Sequence, residues 1–510
     1  MGELIATLAL AQDNAFGQPQ ESQLRSCLLS TWLADEAGLD TGTLETVYWV
    51  ALLRYIGCTG HAHEVAQLFG DEIAIRAQTL VHDAGDPGEV IGDVVAFATA
   101  GKSQQDREQI IQMIETHAHE WAVNNFASGC EVGDMFVQRL GFESPIREAL
   151  AFTFERWNGN GFPNGAAGTD IPLPMRIVHV AHDMEAIGRR FSPERAVEAA
   201  RHRRDRTYDP ELADLFIEHG DAWFERLAHT DPWDAVLGLE PKPHRRLEGD
   251  GLDDALTVAA DFIDLKSPYM GAHSRRSADL AADAAAILRL DNETSTRLRR
   301  AALLHELGTT AISNSILDKP GPLTRAERDR LQLHPMLTEQ MLSRSPALAI
   351  LSPIAACHHE QADGSGYHKG LSTGACEPAA LLIAAVDRFV GLTTDRADRP
   401  KFTADEAAAE LRQCVSQGLL DPEATEAVLQ AAGQQAGVSG RRATRPGGLT
   451  KREVEVLRLA ARGHTTQQIA EQLFISPKTA DHHIQHIYTK INVSTRAAAA
   501  LWAVQNRIVG

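Results

Sequence analysis

Two adjacent histidines stand before a glycine-rich loop in the segment CHHEQADGSGYHKG, residues 357–370. The acid Glu360 and the glycines Gly364 and Gly366 follow them directly. Consecutive side chains on a helix point about 100° apart. His358 and His359 therefore cannot both face one apolar core, and we expect that at least one of them binds a ligand.

Further histidines and acids stand at or near the ends of predicted helices on either side of this pair. They are His273, His305 with Glu306, His334 and, after the loop, Asp387. Five imidazoles and two carboxylates that converge from separate helices suit a two-metal site. Because the set contains no thiolate, it favours iron or manganese, with zinc and nickel as alternatives, over magnesium or calcium. Two such metals can clamp the oxygens of an in-line displacement at phosphorus, with a metal-bound hydroxide as the nucleophile.

The histidine-containing region repeats an earlier part of the chain. Matching blocks are ALLRYIGCTG (51–60) with ALLHELGTTA (302–311), and TFERWNGNGFPNG (153–165) with HHEQADGSGYHKG (358–370). The alignment sets Glu21, Arg54, Tyr55, Thr153, Phe154 and Asp183 against His273, His305, Glu306, His358, His359 and Asp387. The first copy carries an insertion between residues 60 and 150 and keeps the loop glycines without the histidines. One scaffold thus tolerates their joint absence, which argues against a role for them as ordinary core residues.

The second copy, residues 252–430, resembles the HD-GYP family, a branch of the HD superfamily of metal phosphohydrolases. Its block HHEQADGSGYHKG matches that family's signature HHE…DGxGYP, and HELG stands where the family has HD followed by a short turn. The resemblance implies an all-α fold, two or three iron or manganese ions, and hydrolysis of cyclic di-GMP to linear pGpG or GMP. It implies the metal ligands His273, His305, His334, His358, His359 and Asp387, with Glu306 as the bridging carboxylate.

The same resemblance assigns catalytic roles to Glu306 and Asp387. It assigns nucleotide contacts to the loop residues Asp363, Gly364, Gly366 and Tyr367. Three positions depart from the family pattern: Glu306 replaces an aspartate, Thr309 stands where a phosphate-binding lysine is common, and His368 replaces the proline of GYP. Because Glu306 and Thr309 both depart from the family pattern, a module that only senses a ligand is the alternative to hydrolysis.

The sequence of residues 449–504 predicts four short helices. Thr450 followed by Glu453 is a capping-box pattern, and Ser476 before Pro477 is a helix start. Two helices joined by a short turn form a helix-turn-helix, whose second helix enters the major groove of DNA. The segment closely resembles the LuxR-type C-terminal DNA-binding domain, which usually acts as a dimer. That resemblance implies base or backbone contacts from Lys478, Thr479, His482 and Gln485, and phosphate contacts from Lys490 and Arg496.

Charge is divided unevenly along the chain. The formal net charge is −20, but residues 441–510 contain eleven Lys or Arg and four Asp or Glu, a net +7 that leaves −27 on the rest. A basic tail on an acidic body is typical of a protein in which one small domain meets nucleic acid. The sequence shows no run of eighteen apolar residues, no basic signal-like start and no CxxC, so we expect a cytoplasmic protein without a membrane span or a zinc-thiolate site.

These observations predict an all-α chain in four parts. They are a degenerate HD-GYP-like module (1–240), an HD-GYP-like phosphohydrolase module (250–432), a linker (433–447) and a LuxR-type helix-turn-helix domain (448–510). We predict a homodimeric DNA-binding transcriptional regulator whose second module is a metal-dependent cyclic nucleotide phosphodiesterase with two iron or manganese ions. One alternative is an inactive HD module that senses a nucleotide or metal and controls DNA binding, and another is a nucleotidase or di-iron oxygenase.

Overall fold

The computed structural model of the protein describes residues 1–83, 85–434 and 446–509. Within these ranges the regular structure is helical, with short 3-10 turns and isolated β-bridges but no strand, which confirms the predicted all-α fold. No helix in the described part is long and apolar enough to cross a bilayer. The chain divides into two compact units, Met1–Leu247 and Glu248–Gly510. The predicted linker falls mostly on residues 435–445, outside the described ranges.

The first unit contains twelve helices among its described residues. They are α1 (Gly2–Ala15), α2 (Ser22–Glu36), α3 (Thr41–Leu53), α4 (Ala62–Phe69), α5 (Glu72–Thr79), α6 (Pro87–Thr99), α7 (Gln104–Arg139), α8 (Ser144–Leu150), α9 (Leu173–Arg190), α10 (Pro193–Arg203), α11 (Pro210–Ala228) and α12 (Pro232–Gly238). Helices α4 to α7 occupy the stretch that the sequence comparison identified as an insertion.

The second unit begins with the helices of the second repeat. They are α13 (Gly249–Asp264), α14 (His273–Ile287), α15 (Asn292–Leu304), α16 (Asn314–Leu317), α17 (Arg325–Leu331), α18 (His334–Arg344), α19 (Pro346–Ala349), α20 (Ser352–Ala355), α21 (Pro378–Leu392), α22 (Ala404–Ser416) and α23 (Pro422–Ala431). The four helices of the tail follow: α24 (Lys451–Ala461), α25 (Thr466–Gln472), α26 (Pro477–Ile491) and α27 (Arg496–Gln505).

Helix α14 lies at the centre of the second repeat and packs against α15, α21 and α23. Its inner face consists of small residues, and Ala278, Ala281, Ala284 and Ala285 are all buried. Small side chains at a helix contact allow the helix axes to approach closely. The first residue of α14, His273, is thereby placed inside the bundle, 2% exposed.

Helix starts in the tail follow the predicted local signals. The Thr450 side chain accepts a hydrogen bond from the Glu453 amide, and Glu453 bonds back to the Thr450 amide, forming a complete capping box. Ser476 accepts from the Thr479 amide at the start of α26, where Pro477 fills the first helical position. Both observations confirm the predicted boundaries, because each cap satisfies backbone amides that the helix itself leaves unpaired.

The two repeats share a common loop-and-helix arrangement. In each copy an isolated bridge closes the glycine loop, Asn158 with Ala167 in the first and Asp363 with Ser372 in the second. A short 3-10 turn follows at 168–170 and at 373–375, and then α9 or α21 begins. The internal repeat is therefore present in the fold as well as in the sequence.

The structure corrects the predicted partner of His273. Helices α2 and α14 each follow a residue in the left-handed region, Glu21 at φ 74° and Ala272 at φ 58°. Glu21 therefore matches Ala272, and Ser22 stands opposite His273. The sequence alignment of this short block shifted the pairing by one residue, because no residue type in the block marks where the helix starts.

The predicted partner of Asp387 is wrong by one residue as well. Counting from the matched 3-10 turns without a gap, His182 stands opposite Asp387 and Asp183 follows it. A contact agrees with this register: the Tyr55 hydroxyl, opposite Glu306, lies 2.9 Å from His182 Nε2. The first copy thus has no carboxylate at this site position.

Candidate metal centre and nucleic-acid interface

Three of the predicted histidine ligands are oriented by the backbone in the same way. The Nδ1 atoms of His305, His334 and His358 donate to the carbonyl oxygens three residues earlier, at 2.8, 2.7 and 2.7 Å. A carbonyl oxygen only accepts, so the proton of each neutral ring lies on Nδ1 and the lone pair on Nε2. This fixes both the direction and the tautomer that metal binding through Nε2 requires.

The predicted ligands converge from α14, α15, α18, α21 and the turn after α20 into two adjacent groups. One group is His273, His305, Glu306 and Asp387, and the other is His334, His358 and His359. Within each group the ligand atoms lie within 4.8 Å of one another. All seven predicted metal ligands are therefore brought together, although their sequence positions span more than a hundred residues.

The two carboxylates connect the groups. Glu306 Oε1 lies 3.7 Å from His273 Nε2, and its other oxygen lies 3.6 Å from His334 Nε2. Asp387 behaves similarly, with Oδ1 3.1 Å from His273 Nε2 and Oδ2 3.6 Å from His359 Nδ1. Each carboxylate thus presents one oxygen to each group, and in this respect Asp387 is placed like Glu306, the residue to which the resemblance assigned the bridging role.

Two observations indicate that this set of donor atoms suits bound metal ions. Glu306 Oε2 is buried without a hydrogen-bond partner, which is costly unless a cation satisfies it. The Nε2 atoms of His334 and His358 lie 2.9 Å apart with both lone pairs turned inward. Two nitrogens at about 2.1 Å from one metal and at right angles to each other are about 3 Å apart. The spacing of this pair therefore suits coordination.

Burial and neighbouring charges set the ligands' protonation. Burial lowers the pKa of His359 to about 4, and burial together with His359 holds the pKa of His358 well below its usual range. Burial alone would raise the pKa of Asp387, but the close approach of His273 and His305 keeps it well below its ordinary value. At neutral pH these two imidazoles are neutral and this carboxylate is ionised, which is the form that binds metal.

The glycine loop is closed by the acid that follows the histidine pair. Glu360 accepts hydrogen bonds from the Lys369 and Leu371 amides, both at 2.7 Å. A Cβ on Gly366 would lie 2.3 Å from the Gln361 nitrogen, so only glycine fits this close approach. The loop acid is therefore a structural residue, which explains why the first copy keeps it as Glu155 without the histidines.

The predicted nucleotide-binding residues divide between the metal centre and its rim. The Tyr367 ring lies 4.8 Å from the His359 ring, centroid to centroid, and so forms one wall of the centre. Gly364, at φ 83°, and Gly366 shape the turn. Asp363 is exposed and tied to its own turn, where it accepts from the Ser365 amide at 2.9 Å.

Two departures from the family pattern have clear local roles. His368 Nε2 lies 2.9 Å from Glu339 on α18, and Lys369 pairs with the same carboxylate. These contacts tie the loop to the helix that begins at His334. The Thr309 hydroxyl donates to the Glu306 carbonyl at 2.6 Å and is buried, so it closes a 3-10 turn and supplies no cation to the centre.

From its position nine residues before His273, Asp264 is expected to be a solvated helix acid, with an outer metal ligand as the alternative; the structure instead buries it beside the start of α14. Asp264 accepts from the Ser274 amide at 2.8 Å and from its hydroxyl at 2.7 Å, next to His273. Burial raises the pKa of Asp264 to about 8. Its equivalent in the first copy, Asp13, accepts from the Gln23 amide at 3.0 Å.

Arginine and tyrosine side chains fill the corresponding place in the first copy. Arg54, opposite His305, lies 4.0 Å from Asp183, and Arg156 lies 3.8 Å from the other oxygen of that carboxylate. Tyr55 and His182 contact each other in place of Glu306 and Asp387. Among the described residues, groups with metal-binding geometry occur in the second unit alone. Fixed guanidinium charges thus neutralise the acid that this copy retains.

Helices α25 and α26 form a helix-turn-helix, and the predicted base-reading side chains lie on the solvent face of α26. Lys478, Thr479, His482 and Gln485 are all exposed. Ile484 and Ile487, on the other face, are buried in the domain core. The second helix therefore has the free polar face that entry into a major groove requires.

The two predicted phosphate contacts already have partners within the domain. Lys490 Nζ lies 2.7 Å from Glu453 Oε2, and Arg496 donates to the His464 carbonyl at 2.6 Å. Lys490 is 37% exposed, so its charge remains accessible at the surface. A phosphate contact by either side chain stays a prediction.

Two family profiles match the chain. The family described as "HD domain" matches residues 127–212 and 257–424, and the family described as "Bacterial regulatory proteins, luxR family" matches residues 448–503. The first match covers parts of both repeats, in agreement with their shared fold. The second coincides with α24 to α27.

Several characterised proteins are similar to the chain. "3'3'-cGAMP-specific phosphodiesterase 3" of Vibrio cholerae is 28% identical over 439 residues, which is 84% of this chain and 94% of that protein. "Cyclic di-GMP phosphodiesterase response regulator RpfG" of Xanthomonas campestris pv. campestris is 33% identical over 199 residues, or 38% of this chain and 52% of that protein. "Transcriptional regulatory protein LiaR" of Bacillus subtilis is 46% identical over 71 residues, or 14% of this chain and 34% of that protein.

The fold also matches a solved structure. The crystal structure of the cyclic GMP-AMP-specific phosphodiesterase V-cGAP3 of V. cholerae aligns with a TM-score of 0.59 and 26% identity. It covers 85% of this chain and 97% of the solved chain. Since the luxR-family match begins only at residue 448, the tandem body of this chain is what the relative shares.

Proposed function

The chain combines HD domains with a C-terminal domain of the luxR family of bacterial regulatory proteins, and we propose that it is a DNA-binding regulator that hydrolyses a 3′,3′-linked cyclic dinucleotide. The observation that carries the proposal is the pair of carboxylates, each of which presents one oxygen to one histidine group and its other oxygen to the second group. Such a bridged arrangement is what two-metal phosphodiester hydrolysis needs. The relatives named for this activity align with most of the tandem body.

The residues of the centre divide the work of binding and positioning. His273 and His305 would hold one ion, and His334, His358 and His359 a second, with both carboxylates shared. Iron or manganese is the proposed metal, since the set is imidazole and carboxylate without thiolate. When bound, such ions stabilise charge on a phosphodiester and lower the pKa of a water molecule.

Tyr367 and the glycine loop supply the substrate surface. The phenol ring, 4.8 Å from the His359 ring and tilted by 35° to it, offers a flat face on which a nucleobase can lie, and it limits water on that side. The contacts of His368 and Lys369 with Glu339 hold this wall against α18. Asp363, exposed on the rim, is the proposed contact to the outer part of the nucleotide.

A sensor without turnover is the second candidate function. It is favoured by Thr309, whose buried hydroxyl is used within the backbone turn and leaves the phosphate without the cation found in the family pattern. In that case metal and nucleotide would bind, and DNA binding would change, without product. Coupling of this kind requires two states of the protein that the ligand binds unequally.

Metal content and turnover together test the proposal. Protein purified anaerobically is assayed by ICP-MS, with wild type beside the His358→Ala/His359→Ala double variant. The matched control is His482→Ala, which removes an exposed histidine of α26 instead. We expect about two iron or manganese ions per chain in wild type and in the control, and loss of metal in the double variant. A metal-free wild type would contradict the two-metal site.

Product formation separates the two candidate functions. The metal-loaded chain is incubated with 3′,3′-cGAMP and with cyclic di-GMP, and linear products are followed by liquid chromatography. Hydrolysis of either substrate that is lost in the His358→Ala/His359→Ala variant supports the phosphodiesterase. Tight binding of the same nucleotides without product supports the sensor and contradicts hydrolysis.

A further inference from the structure

A second cavity, separate from the metal centre, lies between the second repeat and the luxR-family domain. Its volume is about 510 Å³. The loop that follows α21 forms one wall, residues before and within α14 form another, and the ends of α24 and of the chain form the third. Its size falls within the range of pockets that enclose a small ligand.

The cavity is cationic in a protein whose net charge is −20. Its lining contains five basic side chains, namely Arg276, Arg396, Arg399, Lys401 and Arg462, against the two acids Asp395 and Asp398, a net charge of +3. The structure pairs Arg462 with Asp395 at 3.2 Å. The other four basic side chains are then opposed by Asp398 as the single remaining acid of the lining, so the cavity concentrates positive charge.

Two of the arginines that line this cavity are held by neutral groups. Arg276 donates to the hydroxyls of Thr393 and Thr394, and Arg399 donates to the Gly391 and Leu392 carbonyls. These hydrogen bonds hold each guanidinium group in position without neutralising its charge. Burial lowers the pKa of Arg276, as expected for a cation held away from water without an acid.

The remaining walls suit a nucleoside. Pro268 and the half-buried Tyr269 line the side nearest α14, and Leu459 and Val509 line the side of the luxR-family domain. A flat aromatic ring among apolar side chains is a surface on which a base stacks, while guanidinium groups match phosphate oxygens. Phosphate and base recognition are thus present in one cavity.

We infer that this cavity binds a 5′-phosphorylated linear dinucleotide and that the ligand holds the luxR-family domain on the second repeat. Such a molecule carries one phosphodiester and one phosphomonoester, about −3 in total, which matches the lining charge. The choice of ligand rests on the proposed function, whose product it would be. Since both domains contribute walls, the ligand would bind their packed arrangement best and so alter DNA binding.

The first test measures binding of pGpG supplied directly, so it does not depend on turnover. Equilibrium dialysis uses the full chain carrying His358→Ala/His359→Ala, and wild type with EDTA as a second background should that variant fold poorly. Into each we introduce Arg396→Glu, from the second repeat, or Arg462→Glu, from the luxR-family domain. The matched control is Arg325→Glu, because the Arg325 side chain is 96% exposed on α17 and does not line the cavity.

We expect pGpG to bind and each cavity substitution to weaken it at least about tenfold, since each removes a charge-assisted contact and adds a repulsion. The control is expected to stay within about twofold. Equal binding by all variants would overturn the inference. Equally tight binding of GMP or inorganic phosphate would overturn the dinucleotide assignment, and loss of DNA binding by the variants without any pGpG binding would identify a DNA phosphate contact instead.

Discussion

Replacement of Glu306 by glutamine is expected to weaken metal binding and, in the same protein, to stabilise the metal-free chain. Glutamine keeps the size of the side chain and replaces one carboxylate oxygen by an NH₂ group. Because the two oxygens of Glu306 face different histidine groups, one group must lose a ligand. The buried Oε2, which lacks a hydrogen-bond partner, is no longer a charged acceptor.

The expected magnitudes follow from these contacts. Loss of groups that merely orient a ligand costs 10- to 100-fold in metal affinity, so loss of a direct ligand is placed at about 100-fold or more. With manganese at about 100 times the wild-type Kd, binding stabilises the fold by about 2.7 kcal/mol, and a 100-fold weaker variant retains only about 0.4 kcal/mol. In the metal-free state, relief of the unpaired oxygen contributes about 1–3 kcal/mol in favour of the variant.

Thermal and urea unfolding in EDTA and in excess manganese measure both effects. His482→Ala serves as the control, because His482 lies on the exposed face of α26 and its loss should leave the wild-type response to metal unchanged. If Glu306→Gln gains as much stability from manganese as wild type does, Glu306 is not a metal ligand. A variant that is less stable than wild type in EDTA would show that Glu306 is a structural hydrogen-bond acceptor and not a ligand held in place for a cation.

Three further predictions concern other parts of the chain. Gly366→Ala should lower the free energy of unfolding by about 1–3 kcal/mol because its Cβ would overlap backbone, whereas Gly374→Ala, with open space around it, should be nearly neutral in urea denaturation. Lys478→Ala should weaken binding to duplex DNA and reduce the dependence of log K on log salt by about one, while leaving metal content unchanged. Burial opposes ionisation of Glu453, but the pair with Lys490 lowers its pKa to about 2. A depressed folded-state pKa stabilises the fold above the unfolded value and stops doing so as pH falls toward 2. Glu453→Gln should therefore cost about 1 kcal/mol at pH 7 and progressively less below pH 4, as followed by urea midpoints; a difference independent of pH would contradict this.

Short-range features of this protein were predictable from the sequence. The capping box at Thr450 and the start of α26 at Ser476 depend on residues three apart, so local chemistry determines them. The glycine loop was also predictable from nearby residues, since Gly366 tolerates a close backbone approach that residues with a Cβ do not. The all-α class followed from composition and helical spacing.

Register between the two repeats was not predictable to one residue. Short aligned blocks placed Glu21 and Asp183 opposite the site residues, whereas the fold places Ser22 and His182 there. Only the left-handed turn before each helix and the shared 3-10 turns settle the pairing. The identity of the residues that replace the metal centre in the first copy depends on this register.

The sequence by itself determined which side chains are available: five histidines and two acids in the second repeat, and a basic helix-turn-helix after it. Tertiary structure alone decided that each carboxylate reaches both histidine groups and that three imidazoles are turned inward by backbone carbonyls. It also decided that five basic residues from distant segments surround one cavity. The physical reason is that residue types determine the available functional groups and the local helix propensity. Distances of 3–4 Å between residues far apart in the chain arise only when helices pack.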